Sequence, residues 1–159
     1  MIVKNGALTI ADKLAARSGR RDLTDINGNT VSTYPLDIRI LRPEVIANNS
    51  GVIMRLGSGA TAPTADDYCL ESPIDESKYH CISAGGSQVS ANVVVADNGD
   101  LLYTYVFSID DDVEINEIDL EYFTSTGNRF MLARQIVPTR TAVYGDLISF
   151  TYVIKCGGD

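Results

Sequence analysis

Tryptophan is absent from the 159 residues, histidine occurs once and cysteine three times. Any histidine-dependent centre must therefore use His80. Zinc favours Cys and His ligands, but Cys69, His80 and Cys81 fit no compact metal-binding spacing and name no fourth ligand. No serine lies in a Gly-x-Ser-x-Gly elbow, so the sequence signature of a Ser-His-Asp hydrolase is missing. Cys81 beside His80 is no nucleophile signature either, because adjacency in sequence does not create the required geometry. Three cysteines are an odd and sparse set, unlike a disulfide-stapled secreted domain. The spacing of Cys69 and Cys81 permits one bridge, and reduced thiols are the expected state. Cations are also scarce, with Lys+Arg 13 against Asp+Glu 21 and a net charge of -8. That balance argues against nucleic acid as a partner, since such affinity rests on neutralising phosphates. It argues equally against an anionic membrane surface. No stretch approaches the ~18 apolar residues of a membrane span. Lys4, Asp12 and Lys13 interrupt the apolar residues of Met1–Arg17, so no signal peptide is expected and synthesis is assigned to the cytoplasm.

What is present is a globular composition, 45% hydrophobic and 21% charged. A chain this long can bury about 70% of its unfolded surface and needs no metal or disulfide to hold a core. A short helix is expected within residues 1–20. Thr9 and Asp12 fit a capping box, and Ile10 and Leu14 supply a thin apolar stripe. Beyond it the signal is strand. Asn27-Gly28 marks a hairpin between Leu23 and Val31, and Asp97-Asn98-Gly99-Asp100 marks another between residues 89–96 and 101–109. Leu36, Ile38 and Ile40 alternate as a half-buried strand, and residues 52–56 form another. Tyr103, Tyr105 and Phe107 share one face, as do Ile148, Phe150, Tyr152 and Ile154. Ile118, Leu120 and Tyr122 alternate with Glu117, Asp119 and Glu121, which predicts one dry face and one wet face. Phe130, Leu132, Arg134 and Ile136 line the strand after the Ser125–Asn128 turn. Residues 57–87 read as a long loop with one short strand near His80–Ile82. These signals predict an all-β chain, an antiparallel β-sandwich of jelly-roll type over 21–159, preceded by the helical segment 1–20.

Each chemical motif has a simpler structural reading. Asp97–Asp100 and Asp110-Asp111-Asp112 invite calcium, yet they lack the ligand order of a calcium loop, and Asp, Asn and Gly are ordinary turn residues. Glu114, Glu117 and Glu121 lie close in sequence and could pair for glycoside hydrolysis, but Glu117 and Glu121 fall on the same side of a strand, which more simply marks its outer face. Gly57-Ser58-Gly59 lacks the third glycine and following helix of a dinucleotide site, and Pro63 interrupts it. Tyr103, Tyr105 and Tyr122 could offer a glycan platform, although they suit half-buried strand positions better. No catalytic residue, cofactor or metal is therefore assigned. Arg134 sits among apolar residues and calls for a carboxylate, with Glu117 the natural partner across the turn.

One ordered set of segments resembles small structural proteins of tailed-bacteriophage particles. The run from Leu56 to Glu71 matches a Gly-x-Gly-x-Thr-x-Pro-like loop that ends in an acid and Leu-Glu. Asn116-Glu117-Ile118-Asp119-Leu120, then Leu132-Ala133-Arg134, then Gly145-Asp146 and an alternating strand follow in the same order. Together they span about two thirds of the chain, departing at Asp119, where glycine is expected. The resemblance implies a non-enzymatic virion component acting by protein–protein contacts. A capsid decoration or cement role leads, and a neck, tail or fibre-base position is the alternative. Partners would be the major capsid protein or neck and tail proteins, with the chain a homo-oligomer, made in the host cytoplasm and located in the virion. Ile10, Leu14, Gly57, Gly59, Pro63, Asp67, Leu70 and Glu71 are the contact candidates, and Glu117 with Arg134 the structural ion pair. A glycan-binding module is a second class of function, and a hydrolase with its site in the 60–87 loop a third.

Overall fold

The computed structural model describes residues 1–8, 19–33, 51–82, 92–97, 100–124 and 126–155. Within them the chain is mostly β. The first two strands, β1 (Arg21–Thr24) and β2 (Thr30–Thr33), form a hairpin. Asp25 fastens its turn, accepting from the backbone N–H groups of Asn27 and Asn29 at 2.9 and 2.8 Å, while Gly28 takes φ +82°. Two further antiparallel sheets follow. One has the order β3–β7–β8, built from β3 (Gly51–Gly57), β7 (Val113–Phe123) and β8 (Arg129–Ala142). In the other, β6 (Leu101–Ile109) is flanked on one side by β4 (Tyr79–Ile82) and β5 (Asn92–Val95), and on the other by β9 (Leu147–Ile154). Pro138 is tolerated inside β8 because it falls at a register shift, where a strand proline does least damage.

The main core joins these two sheets. Met54, Leu56, Ile118 and Leu120 from β3 and β7 pack with Tyr103, Tyr105 and Phe107 from β6 and with Phe150 and Tyr152 from β9. The strong alternation in β6 and β9 has its cause here, since one face meets this core and the other meets water. The tyrosine rings lie inside and their hydroxyls find backbone partners: Tyr105 donates to the Val52 carbonyl at 2.8 Å, and Tyr152 to that of Arg134 at 3.2 Å. Tyr103, Tyr105 and Tyr122 are all buried, so none of the three can serve as an exposed glycan platform.

Residues 4–8 are helical, with Ala7 N–H bonded to the Val3 carbonyl at 3.0 Å, and the Thr9–Asp12 capping box lies outside the described residues. Ile10 and Leu14 lie outside the described residues, as does the strand read from Leu36, Ile38 and Ile40. Gly6 lets this helical turn sit on β8, because a Cβ there would stand 2.2 Å from the Leu132 carbonyl oxygen. One sequence-based expectation, concerning β7, is corrected. Glu117, Asp119 and Glu121 are 0%, 0% and 4% exposed, so the face expected to be wet is buried. It is the middle strand of its sheet, and a second layer of chain covers the side away from the main core.

Candidate functional site

The covering layer is the loop from Ser58 to Ser72. β3 ends where Gly57 pairs with Glu117 in β7. The chain then crosses the sheet and returns to its own start: Ser58 N–H bonds the Ser72 carbonyl at 2.8 Å, and Ile74 N–H bonds the Leu56 carbonyl at 3.0 Å. A loop whose ends meet in this way is a closed strap rather than an open connection. Leu70 anchors it in a small apolar cluster with Val3 and Met131, and Lys4 N–H holds the Ala65 carbonyl at 2.8 Å.

Arg134 is the rivet. Its guanidinium is 3% exposed and faces three carboxylates. Nε donates to Glu117 Oε2 at 2.7 Å, Nη1 to Asp67 Oδ2 at 2.8 Å, and Nη2 reaches Glu71 Oε2 at 3.5 Å. Burial opposes the charge on Arg134, but hydrogen bonds and charges from Asp67 and Glu117 raise its pKa nonetheless. The Asp67 carboxyl is also desolvated, yet bonds from Thr64 and Arg134 hold it below the usual range. Glu71 is lowered chiefly by hydrogen bonds from Thr61.

Glu117 does the complementary work. Its Oε1 accepts from Gly59 N–H at 3.1 Å and Ser72 N–H at 2.8 Å, and its Oε2 from Glu71 N–H at 3.3 Å. One side chain from the sheet thus supplies acceptors for both ends of the strap, replacing the water that an exposed loop would use. This explains the glycines. A Cβ at Gly57 would lie 2.5 Å from Glu117 Oε1, and one at Gly59 would lie 2.6 Å from it. Gly57→Ala and Gly59→Ala should each cost about 1–3 kcal/mol, as overpacked sites do, read as a lower urea midpoint.

A second polar group lies further along the same sheet. Arg55 N–H donates to Asp119 Oδ1 at 3.2 Å, the Arg55 guanidinium pairs with Glu76, and Arg129 Nη1 reaches Glu76 at 2.8 Å and Glu121 at 4.0 Å. As two carboxylates, Asp119 and Glu121 would leave Oδ2 and Oε2 without a donor. A proton on Asp119 removes that conflict by donating to Glu121. Burial is the main cause that pushes the Asp119 carboxyl well above its ordinary range, with the Glu121 charge and hydrogen bond adding to it. Burial also raises Glu121.

Of the residues singled out by sequence, the structure brings together Gly57, Gly59, Asp67, Glu71, Glu117 and Arg134. Gly57, Gly59 and Leu70 are turned inward, so they fasten the strap and are not themselves open to a partner. Its exposed rim is Thr61, Ala62, Thr64, Asp66 and Tyr68, with Pro63 half-buried between them. This rim surrounds a shallow pocket of about 420 Å³ with Arg134 at its floor. Sequence reasoning missed the buried Asp119 and Glu121 and the Arg55, Glu76 and Arg129 side chains that extend this group toward the surface. The available signal was three alternating acids in a chain with arginines on the neighbouring strands.

The other motifs stand apart from this layer. His80 Nδ1 meets Asp110 Oδ2 at 2.6 Å on an exposed rim, and Lys78 pairs with Asp111 at 2.8 Å. Cys69 and Cys81 are free thiols, both made less acidic by burial and so poor nucleophiles. Among the described residues no three Asp, Glu, His or Cys side chains converge as metal ligands. Glu117, with both oxygens bonded and no exposed surface, holds chain rather than meeting substrate. No protein-family model, curated protein or solved structure matches this chain.

Proposed function

We propose that this chain is a non-enzymatic building block of a tailed-bacteriophage virion, a capsid decoration or cement protein that works through protein–protein contacts. The two sheets that share the main core are read as a jelly-roll-like sandwich, with the strap as its presenting loop. The observation that carries the reading is the strap itself. Its interior is fixed by Arg134 and Glu117, while Thr61, Ala62, Thr64, Asp66 and Tyr68 face outward. A loop ordered before it docks loses little entropy on binding, which suits a permanent contact between subunits. The buried Glu117 carboxylate, with both oxygens bonded, suits support rather than turnover. A neck, tail or fibre-base position would use the same loop in the same way.

Density-gradient particles from a lysate containing this chain provide the test. The chain is expected at constant stoichiometry with the major capsid protein, and replacing Ala62–Thr64 by Gly-Ser-Gly should reduce its occupancy at least tenfold. Recovery of the chain only in the free protein fraction would overturn the proposal. A glycan-binding reading draws on one observation, the exposed Tyr68 beside Asp66 and Thr64 at the pocket rim. Saturable binding to a glycan array, lost in Tyr68→Ala, would select it instead.

A further inference from the structure

We infer that the outer face of the β4–β6–β9 sheet is a self-association surface that receives a second copy of this chain. Across this face the register sets Ile82 beside Val106, Val106 beside Ser149, and Leu102 beside Val153. At its centre the Thr104 and Thr151 hydroxyls bond each other at 2.8 Å, so they can lose water without losing a partner. Ile82, Val106 and Val153 are exposed, and Leu147 at the end of the sheet is 67% exposed. The turn leading into Leu147 adds Tyr144, which is 78% exposed.

Charge decides the occupant. The chain carries a net charge of -8, so two copies repel across most pairs of faces. The strap side is carboxylate-rich, and its arginines are already committed to Glu76, Glu117 and Asp67. Among the described residues the outer sheet face has no charge between its two ends, and each end holds a pair within the chain. His80 pairs with Asp110 at one end, and Lys155 pairs with Asp100 at the other. A basic partner gains nothing from such a face. A like copy can approach through this face without setting acid against acid along the described strands. Facing sheets of two copies would pack about 10 Å apart, in a two-fold arrangement where the same patch serves both.

β6 and β9, of nine and eight residues, together with the four-residue β4 give a footprint of about 350 Å² per copy. That is roughly half of the ~800 Å² per partner of a standard stable interface. Association is therefore weak and concentration-dependent, with a dissociation constant on the order of 100 µM. The inference deepens the building-block reading by naming where copies meet. It fails separately, because it is measured on the isolated chain without particles.

Sedimentation velocity from about 10 µM to 1 mM, in 0.05 and 0.5 M NaCl, reads it directly. The weight-average mass should rise from one chain mass toward two, and further at high salt, where repulsion between acidic copies is screened. Val106→Lys and Thr151→Lys should weaken association at least tenfold while keeping the parent melting curve. Ala62→Lys on the strap adds the same charge and should leave association intact. A parent chain that stays monomeric at 1 mM in 0.5 M NaCl would overturn the inference. So would loss of association in Ala62→Lys with Val106→Lys unaffected.

Discussion

Arg134→Ala should lower stability by about 3–5 kcal/mol, the cost of stripping the partner from a buried charge. Glu117 has no exposed surface, so the variant leaves a carboxylate under the strap with only backbone N–H groups around it. Asp67 loses its cation in the same step. For a chain of this length such a loss corresponds to a drop in melting temperature of roughly 10 °C. Arg134→Lys should recover part of it, because an ammonium keeps the charge but cannot span the separated carboxylates as a planar fork does. Glu71→Gln is the contrast, since Glu71 is exposed and its contact with Arg134 is long at 3.5 Å, so little change is expected. Urea denaturation followed by circular dichroism separates the three. Amide exchange adds a local reading: Gly59, Glu71 and Ser72 N–H groups should lose protection in Arg134→Ala before the main core does. An Arg134→Ala protein as stable as its parent would show that the strap is held by its apolar anchor alone.

The second large effect is in pH. Asp119 has a folded pKa above its unfolded value, so the folded chain keeps a proton that the unfolded chain releases. Its contribution is full below the unfolded pKa and is lost as pH rises through the folded one. The limiting slope for one such group is about 1.36 kcal/mol per pH unit. Asp25 and Asp67 act in the opposite sense. Both are desolvated, but their hydrogen bonds lower them, so their contribution is present above the ordinary carboxylate range and fades on acidification. Asp119→Asn keeps the shape, donates to Glu121 and carries no charge. It should remove the decline on the alkaline side, leave the acid limb in place, and raise stability at pH 8 by about 1–3 kcal/mol. Calorimetric melting from pH 3 to 9 on both proteins checks this, and parallel curves would show that Asp119 is ionised in the fold.

These two residues also show where the sequence speaks and where it falls silent. The alternation of Tyr103, Tyr105 and Phe107 states the main core directly, because the large aromatic side chains all fall on one face of the strand. Asn27-Gly28 states its hairpin for backbone reasons, and the structure places Gly28 at positive φ. The acids of β7 show the same alternation but a different cause. A polar side chain faces either water or another polar layer, and the local sequence is identical in the two cases. What distinguishes them is the return of the chain at Ser72 over Glu117, a contact between distant segments. Gly57-x-Gly59 carries a trace of it, since close approach requires glycine, but nothing nearby names what approaches. The pairing of Arg134 with Glu117 was legible because an arginine among apolar residues has few other solutions.

The strand order also sets a schedule for synthesis. Val52 in β3 pairs with Tyr122 in β7, and Val3 bonds Leu132 in β8. On a ribosome adding ~5–20 residues per second, β3 emerges several seconds before the strand it needs. Until then an apolar ribbon with unsatisfied edges is open to other nascent chains. Yield in a recombinant host should therefore respond to growth temperature and chaperone supply more than to the stability of the finished protein.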